Sequence, residues 1–244
     1  MTGREEFLSR VQRETMKTTG LFPAVATERP ADPAGAIAAI RERSWRELEA
    51  LLARFQAEAE RVGVGFSRAA TIADAGAIVL SLATARHVRR VVTWGRRALG
   101  LTSAVAARLR QAEMEVLEAS PEEIAPEARL RLRELLAGAD LGLTGVDLAI
   151  AETGSLVLAS GIGKGRGVSL LPPCHLALFG RDQLVAGLDE AGVILEAWHT
   201  APTAGGGANI VFITGPSRTA DIELTLTRGV HGPGEVHAVF VDSL

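Results

Sequence analysis

The sequence predicts an α/β protein built on a parallel, helix-covered sheet, preceded by a helical arm. Three observations carry that expectation. Short apolar strand candidates alternate with helical patterns between Gly63 and Ala137, as repeated β-α-β units require. Past Asp140 the texture changes to strand candidates separated by glycine loops, and 18 of the 26 glycines fall in residues 138–244. Charge divides at the same place. Residues 1–137 hold 21 bases against 18 acids and residues 138–244 only five against eleven, so charged helices give way to strands and tight loops.

At the N terminus, Phe7, Leu8 and Val11 among charged residues predict an amphipathic helix, ended by Thr18-Thr19-Gly20 and a linker from Pro23 to Pro33. Residues 1–33 are therefore expected to form an arm and linker, and residues 34–244 the α/β domain. The arm leaves homo-oligomerisation open. From Ala34 to Arg61, Ile37, Ile40, Trp45, Leu48, Leu51, Leu52 and Phe55 recur at helical spacing, which predicts one long helix with Trp45 in its buried stripe. There follow a strand near Val64, a helix from Ile72 to Thr84, a strand from Arg90 to Thr93, a helix from Thr102 to Gln111, a strand from Met114 to Leu117 and a helix from Pro126 to Ala137. The later strand candidates are Leu156 to Ala159, Leu176 to Phe179, Ile210 to Ile213 and Val236 to Val241, with a helix from Asp182 to Trp198 among them.

Composition narrows the function classes. A chain of 244 residues, 47% hydrophobic, can bury a core that needs no disulfide or metal staple. A net charge of −3 argues against a nucleic-acid binder. Apolar runs such as Ile78 to Leu82 fall far short of the ~20 residues that span a bilayer, and the first twenty residues lack a secretory segment. With Cys174 the one cysteine, no intramolecular disulfide and no cysteine-held iron–sulfur cluster can form, and a cytoplasmic location is expected. His199 and His237 show no ligand spacing, so no metal site is expected. Arg86, Arg89, Arg90, Arg96 and Arg97 read as a solvated face in a chain with 24 Arg and two Lys.

Four loops carry residue types suited to chemistry. Ala151-Glu152-Thr153-Gly154-Ser155 places a carboxylate, two hydroxyls and free amides at one turn, able to hold a substrate or supply a base. Gly161-Ile162-Gly163-Lys164-Gly165-Arg166-Gly167 alternates glycine with two bases, a pattern that can form an anion-binding nest. It is not a P-loop, because Gly165 follows Lys164. Leu171-Pro172-Pro173-Cys174-His175 leads into an apolar strand, where Cys174 reads as packing and His175 as a structural group before an acid or base. The fourth is Gly215-Pro216-Ser217-Arg218-Thr219-Ala220-Asp221, with His231-Gly232-Pro233-Gly234 beyond it. Arg218 can grip a carboxylate or phosphate while Ser217 and Thr219 add donors, and Asp221 can instead neutralise Arg218. This loop is expected at the C-terminal edge of the sheet, where open α/β sheets bind ligands. A Ser217–His231–Asp221 hydrolase fails, because Gly-Pro-Ser-Arg-Thr is not a nucleophile elbow.

Leu143 to Ile150, Ala151 to Ser155, Leu171 to His175, Gly215 to Glu223 and Gly229 to Pro233 appear in an order that resembles the LUD (lactate utilisation) domain, specifically the lactate-utilisation protein C family. The resemblance implies a NagB/RpiA/CoA transferase-like fold, a three-layer α/β sandwich, and membership in a system that oxidises L-lactate to pyruvate. It implies no cofactor on this chain and iron–sulfur clusters on partner subunits. Lys164 departs from the polar Asn-Gly-type turn expected there, so its role is not carried over.

Three readings follow. In the first, a non-redox subunit binds a small carboxylate through Arg218, with Ser217 or Thr219 and His231 near its hydroxyl, or docks the iron–sulfur partners. In the second, a free-standing transferase or isomerase uses Glu152 on a coenzyme A ester or phosphorylated substrate. In the third, the N-terminal arm is the working surface of a structural, partner-binding module. Whether the chain is itself an enzyme is left open.

Overall fold

A computed structural model describes residues 3–17, 30–95, 100–119, 126–200, 206–220 and 226–243. Two compact units divide the chain at Ala31 and Asp32. The first contains helix α1 (Gly3–Lys17), whose Phe7, Leu8 and Val11 side chains are exposed.

The second unit is organised by six parallel strands: β1 (Val64–Thr71), β2 (Arg90–Trp94), β3 (Glu115–Ala119), β4 (Leu141–Gly145), β7 (Cys174–Gly180) and β12 (Glu235–Ser243). Their order across the sheet is β1-β12-β7-β4-β2-β3. Every residue of β7 is buried, as are Val236 to Val241 of β12, because a parallel sheet is covered on both faces. Side-chain alternation sorts the two faces. Leu141, Leu143, Leu176, Leu178, Val239 and Val241 pack under α4 (Ile72–Ala85) and α5 (Thr102–Gln111). Val236, Ala238, Phe240, Ala177 and Phe179 point the other way, toward α3 (Leu48–Arg61) and α6 (Pro126–Ala137).

Phe55 of α3 lies 5.1 Å from Phe179, which lies 5.4 Å from Phe240, so three rings tie that helix to two central strands. Deleting one such buried ring costs about 3–5 kcal/mol in comparable cores. Helix α4 starts where it does because Thr71 and Asp74 form a reciprocal capping box.

A second sheet, absent from the sequence expectation, stands on the α3 side. It contains β5 (Leu148–Ile150), β6 (Ser155–Gly161), β8 (Leu184–Val185) and β9 (Gly206–Ile213), in the order β8-β5-β6-β9. Leu156 and Leu158 face the main core, whereas Val157 faces α2 (Pro33–Arg46) and α8 (Leu188–Thr200). The layered α/β fold therefore holds, with an extra sheet and helix pair on one side.

Several boundaries moved. The expected helix from Ala34 to Arg61 is two helices, broken at Glu47, because α2 serves the second sheet and α3 the main sheet. Trp45 is not core. It is 45% exposed, with the Arg181 guanidinium 4.6 Å from its ring and its Nε1 donating to Asp182 at 3.1 Å. The helix expected from Asp182 begins at Leu188, after a 3-10 turn and β8.

Candidate functional site

Strand polarity gives the main sheet two ends, and the sequence candidates divide between them. At the N-terminal edge, the Glu152 and Arg218 motifs converge on the last turn of α3. Gly154 adopts φ +63°, and a Cβ there would overlap the backbone of Glu58 and Ala59. Thr153 Oγ1 donates to Ser155 Oγ at 2.7 Å, and Ser155 Oγ shares a second 2.7 Å bond with Thr214 Oγ1. Gly215 (φ +95°) then passes against the Val62 carbonyl, to which the Arg218 guanidinium donates. A helix leaves its last carbonyls without intrahelical partners, and a cation there answers both the missing bond and the dipole.

Ser217 closes the same assembly through its backbone and hydroxyl. Its N–H donates to the Pro233 carbonyl at 2.8 Å and its carbonyl accepts from Gly229 N at 3.0 Å. Its Oγ accepts from the His231 N–H at 3.3 Å, while His231 itself is exposed. In the hairpin of β10 (Arg218–Ala220) and β11 (Leu226–Arg228), Thr219 stands opposite Thr227 and Arg218 opposite Arg228. Asp221 lies outside the described residues. Glu152 is committed elsewhere: its Oε2 accepts from Leu188 N at 3.0 Å, capping α8.

The edge expected for the Arg218 loop is thus corrected. β9 runs antiparallel to β6 in the second sheet, so its end delivers Thr214 beside the starts of β1, β7 and β12, opposite the edge where parallel strands bind ligands.

His175 is wholly buried in β7, and its Nε2 shares a 2.8 Å hydrogen bond with Thr144 Oγ1. Burial pushes its pKa down to about 4, so the ring is neutral near pH 7. Nδ1 has no partner among the described residues. Cys174 is buried and its thiol is pushed up to about 12, chiefly by desolvation and then by Glu235, which leaves it unreactive. Next to it, Arg86 pairs with Glu235, and His237 Nε2 shares a 2.9 Å bond with Ser67 Oγ. Arg90 pairs with Glu115, so the arginine group divides among separate partners, and Arg96 and Arg97 lie outside the described residues.

At the opposite, C-terminal edge, the chain moves from β2 outward to β3 and then returns across β2 to β4. This is a topological switch point, where adjacent loops part and leave a crevice. Trp94 ends β2, and Val146-Asp147 follows β4. Into this gap folds the glycine-rich loop. Gly161 and Lys164 bridge as a tight turn with Gly163 at φ +77°, and the Gly163 carbonyl accepts from Gly95 N at 2.8 Å. Lys164 Nζ sits 2.5 Å from Asp147 Oδ1 and 5.0 Å from the centre of the Trp94 ring. Asp147 Oδ2 also accepts from Ala159 N at 2.8 Å, at the irregularity of β6. Arg166, exposed, precedes the single turn α7 (Gly167–Leu170) and makes no ion pair among the described residues. Trp94, Ser160, Lys164, Arg166, Ser169 and Val211 line a crevice holding about 190 Å³ of empty space, part of it open solvent.

Sequence reasoning found Lys164 and Arg166 but missed Trp94, Asp147, Ser160 and Ser169. The available signal was a large aromatic ending a buried parallel strand. The Asp147 partner was hidden because β4 was not recognised.

The comparisons with known proteins bear on most of this second unit. A sequence model of the LUD domain matches residues 52–241. The chain belongs to the LUD domain family. Among curated proteins, this LUD domain is 38% identical to lactate utilization protein C of Halalkalibacterium halodurans over 150 residues, 59% of each chain. It is 43% identical to lactate utilization protein C of Shouchella clausii over 107 residues, 43% of this chain and 44% of that one. The matched stretches thus span roughly half the length of these relatives. A crystal structure of a DUF162 family protein from Deinococcus radiodurans superposes with a TM-score of 0.55 at 23% identity, covering 79% of this chain and 97% of that one, which shows a shared fold.

Proposed function

We propose that this LUD domain serves lactate utilisation in the cytoplasm as a component without a redox group of its own. It binds a small 2-hydroxy or 2-oxo carboxylate and docks onto partner subunits that carry iron–sulfur clusters. The observation that carries the reading is the name shared by relatives that are 35–43% identical to this chain. The donor chemistry agrees with it: one cysteine, buried and held as a thiol, cannot ligate a cluster. Among the described residues no helix is long and apolar enough to cross a membrane. The transferase or isomerase reading gains no support from geometry, because the Glu152 carboxylate caps α8.

Deleting the gene in its own host should abolish growth on L-lactate and leave growth on pyruvate intact. Unchanged growth on lactate would end the reading. Affinity purification of the tagged chain from lactate-grown cells should bring down iron–sulfur proteins, identified by their visible absorbance.

A further inference from the structure

We infer that the crevice at the C-terminal end of β2, beside the switch point, is the carboxylate site of this chain, with Lys164 and Arg166 as its cations and Asp147 as a built-in competitor for Lys164. The inference rests on the proposed carboxylate ligand for its chemistry and on the fold for its place. Three observations converge. The crevice opens beside Trp94 at the C-terminal end of β2, and its Lys164 reaches Asp147 just past β4, so it adjoins the position where the parallel sheet reverses its direction of growth. Among the described residues its charge is unbalanced: Lys164 is paired with Asp147, whereas Arg166 lines the crevice without an ion pair and is left for a ligand to answer. Lys164 is fixed, held between the Asp147 carboxylate and the Trp94 ring, so little side-chain freedom remains to be lost on binding.

The contents of the crevice define how a carboxylate would sit. An ammonium has three N–H donors and Asp147 Oδ1 takes one, leaving the others for an incoming oxygen. Ser160 Oγ already donates to the Asn209 carbonyl at 2.9 Å, and Ser169 Oγ to that of Arg166 at 3.1 Å. Their oxygens keep acceptor capacity, which suits the hydroxyl of a 2-hydroxy acid more than a second carboxylate. Trp94 gives the apolar wall for the methyl end. Because Asp147 is also anchored by Ala159 N, it stays in place when a ligand arrives and repels it. Its charge sets a ceiling on affinity and so works as a brake.

Isothermal titration of the full chain with L-lactate, pyruvate and inorganic phosphate, at fixed ionic strength, tests the assignment. Lys164→Met should weaken lactate binding about tenfold, as loss of a charge-assisted hydrogen bond does. Arg166→Gln, at an exposed side chain without an ion-pair partner that unfolding could explain, should weaken it about threefold. Asp147→Asn, which can keep the bond from Ala159 N, should tighten it about threefold or more. That gain is the decisive sign, because damage to the fold cannot produce it. Lactate binding that ignores all three variants overturns the site while sparing the carboxylate reading. Phosphate binding that responds to them, with no binding of lactate or pyruvate, upholds the crevice and overturns the carboxylate. Absence of binding by every probe overturns the inference.

Discussion

The two ends of the parallel sheet use the same kinds of residue to opposite effect. At the N-terminal edge, Ser217, Arg218, Thr153 and Ser155 bond to backbone and to one another around the end of α3. At the C-terminal edge, Lys164 pairs with Asp147 alone and Arg166 makes no ion pair among the described residues, so both keep donors in reserve. A glycine loop rich in polar groups is therefore ambiguous until strand polarity is known. What separates a clamp from a ligand site is whether its donors are already used. If the contrast is real, changes at the first end should be read in stability and changes at the second in binding.

The largest expected effect is at Gly154. An alanine would have to hold φ near +63° and push its Cβ into the α3 backbone. The left-handed conformation costs roughly 1–2 kcal/mol and overpacking a further ~1–3 kcal/mol, so Gly154→Ala should lose about 3 kcal/mol or fail to fold. Denaturant unfolding measures this, and a loss under 1 kcal/mol would show that the turn can detach from α3 and that the first end is not a clamp.

Next comes the buried histidine between the two ends. His175 has its pKa lowered from 6.5 to about 4 in the folded chain, so between those values the unfolded chain binds the extra proton. Stability is full above pH 6.5 and falls as pH drops toward 4, by roughly 3 kcal/mol from this group alone. His175→Gln, which keeps a partner for Thr144, should flatten the stability curve across that window. Parallel curves for the two proteins would place the acid sensitivity elsewhere.

The fold was legible where chemistry and burial repeat locally. Helices at Ile72, Thr102 and Pro126 start at the expected residues, because their apolar periods are complete within one segment. β4 was hidden by its two glycines. Gly142 is small because the Val168 carbonyl of α7 occupies the space a Cβ would need, a contact made by a segment about 25 residues away in sequence. The same non-local cause hid Asp147 as the partner of Lys164. Arg218 shows the converse: its loop held suitable donors, but nothing in the sequence shows that a neighbouring helix end would take them.

Arg218→Met sharpens the contrast at a smaller scale. It removes the cation from the α3 terminus, and because the side chain is exposed the loss should be about 1 kcal/mol. Lactate affinity should not change. A tenfold loss of affinity with unaltered stability would move the ligand site to the N-terminal edge and reverse the assignment of the two ends.

Glu152→Gln is the mildest test and the one that separates charge from geometry. Gln can still accept the Leu188 N–H through its amide oxygen, so only the negative charge at the start of α8 is lost. Charges at helix ends contribute about 0.3–1 kcal/mol, and at an exposed position the lower part of that range applies. Thermal unfolding should therefore fall by a degree or two. That loss should shrink in high salt, because an exposed charge–dipole interaction is screened. Lactate growth of the host should be untouched. If growth on lactate stops while the melting temperature is unchanged, Glu152 acts on substrate and the N-terminal edge is more than a clamp.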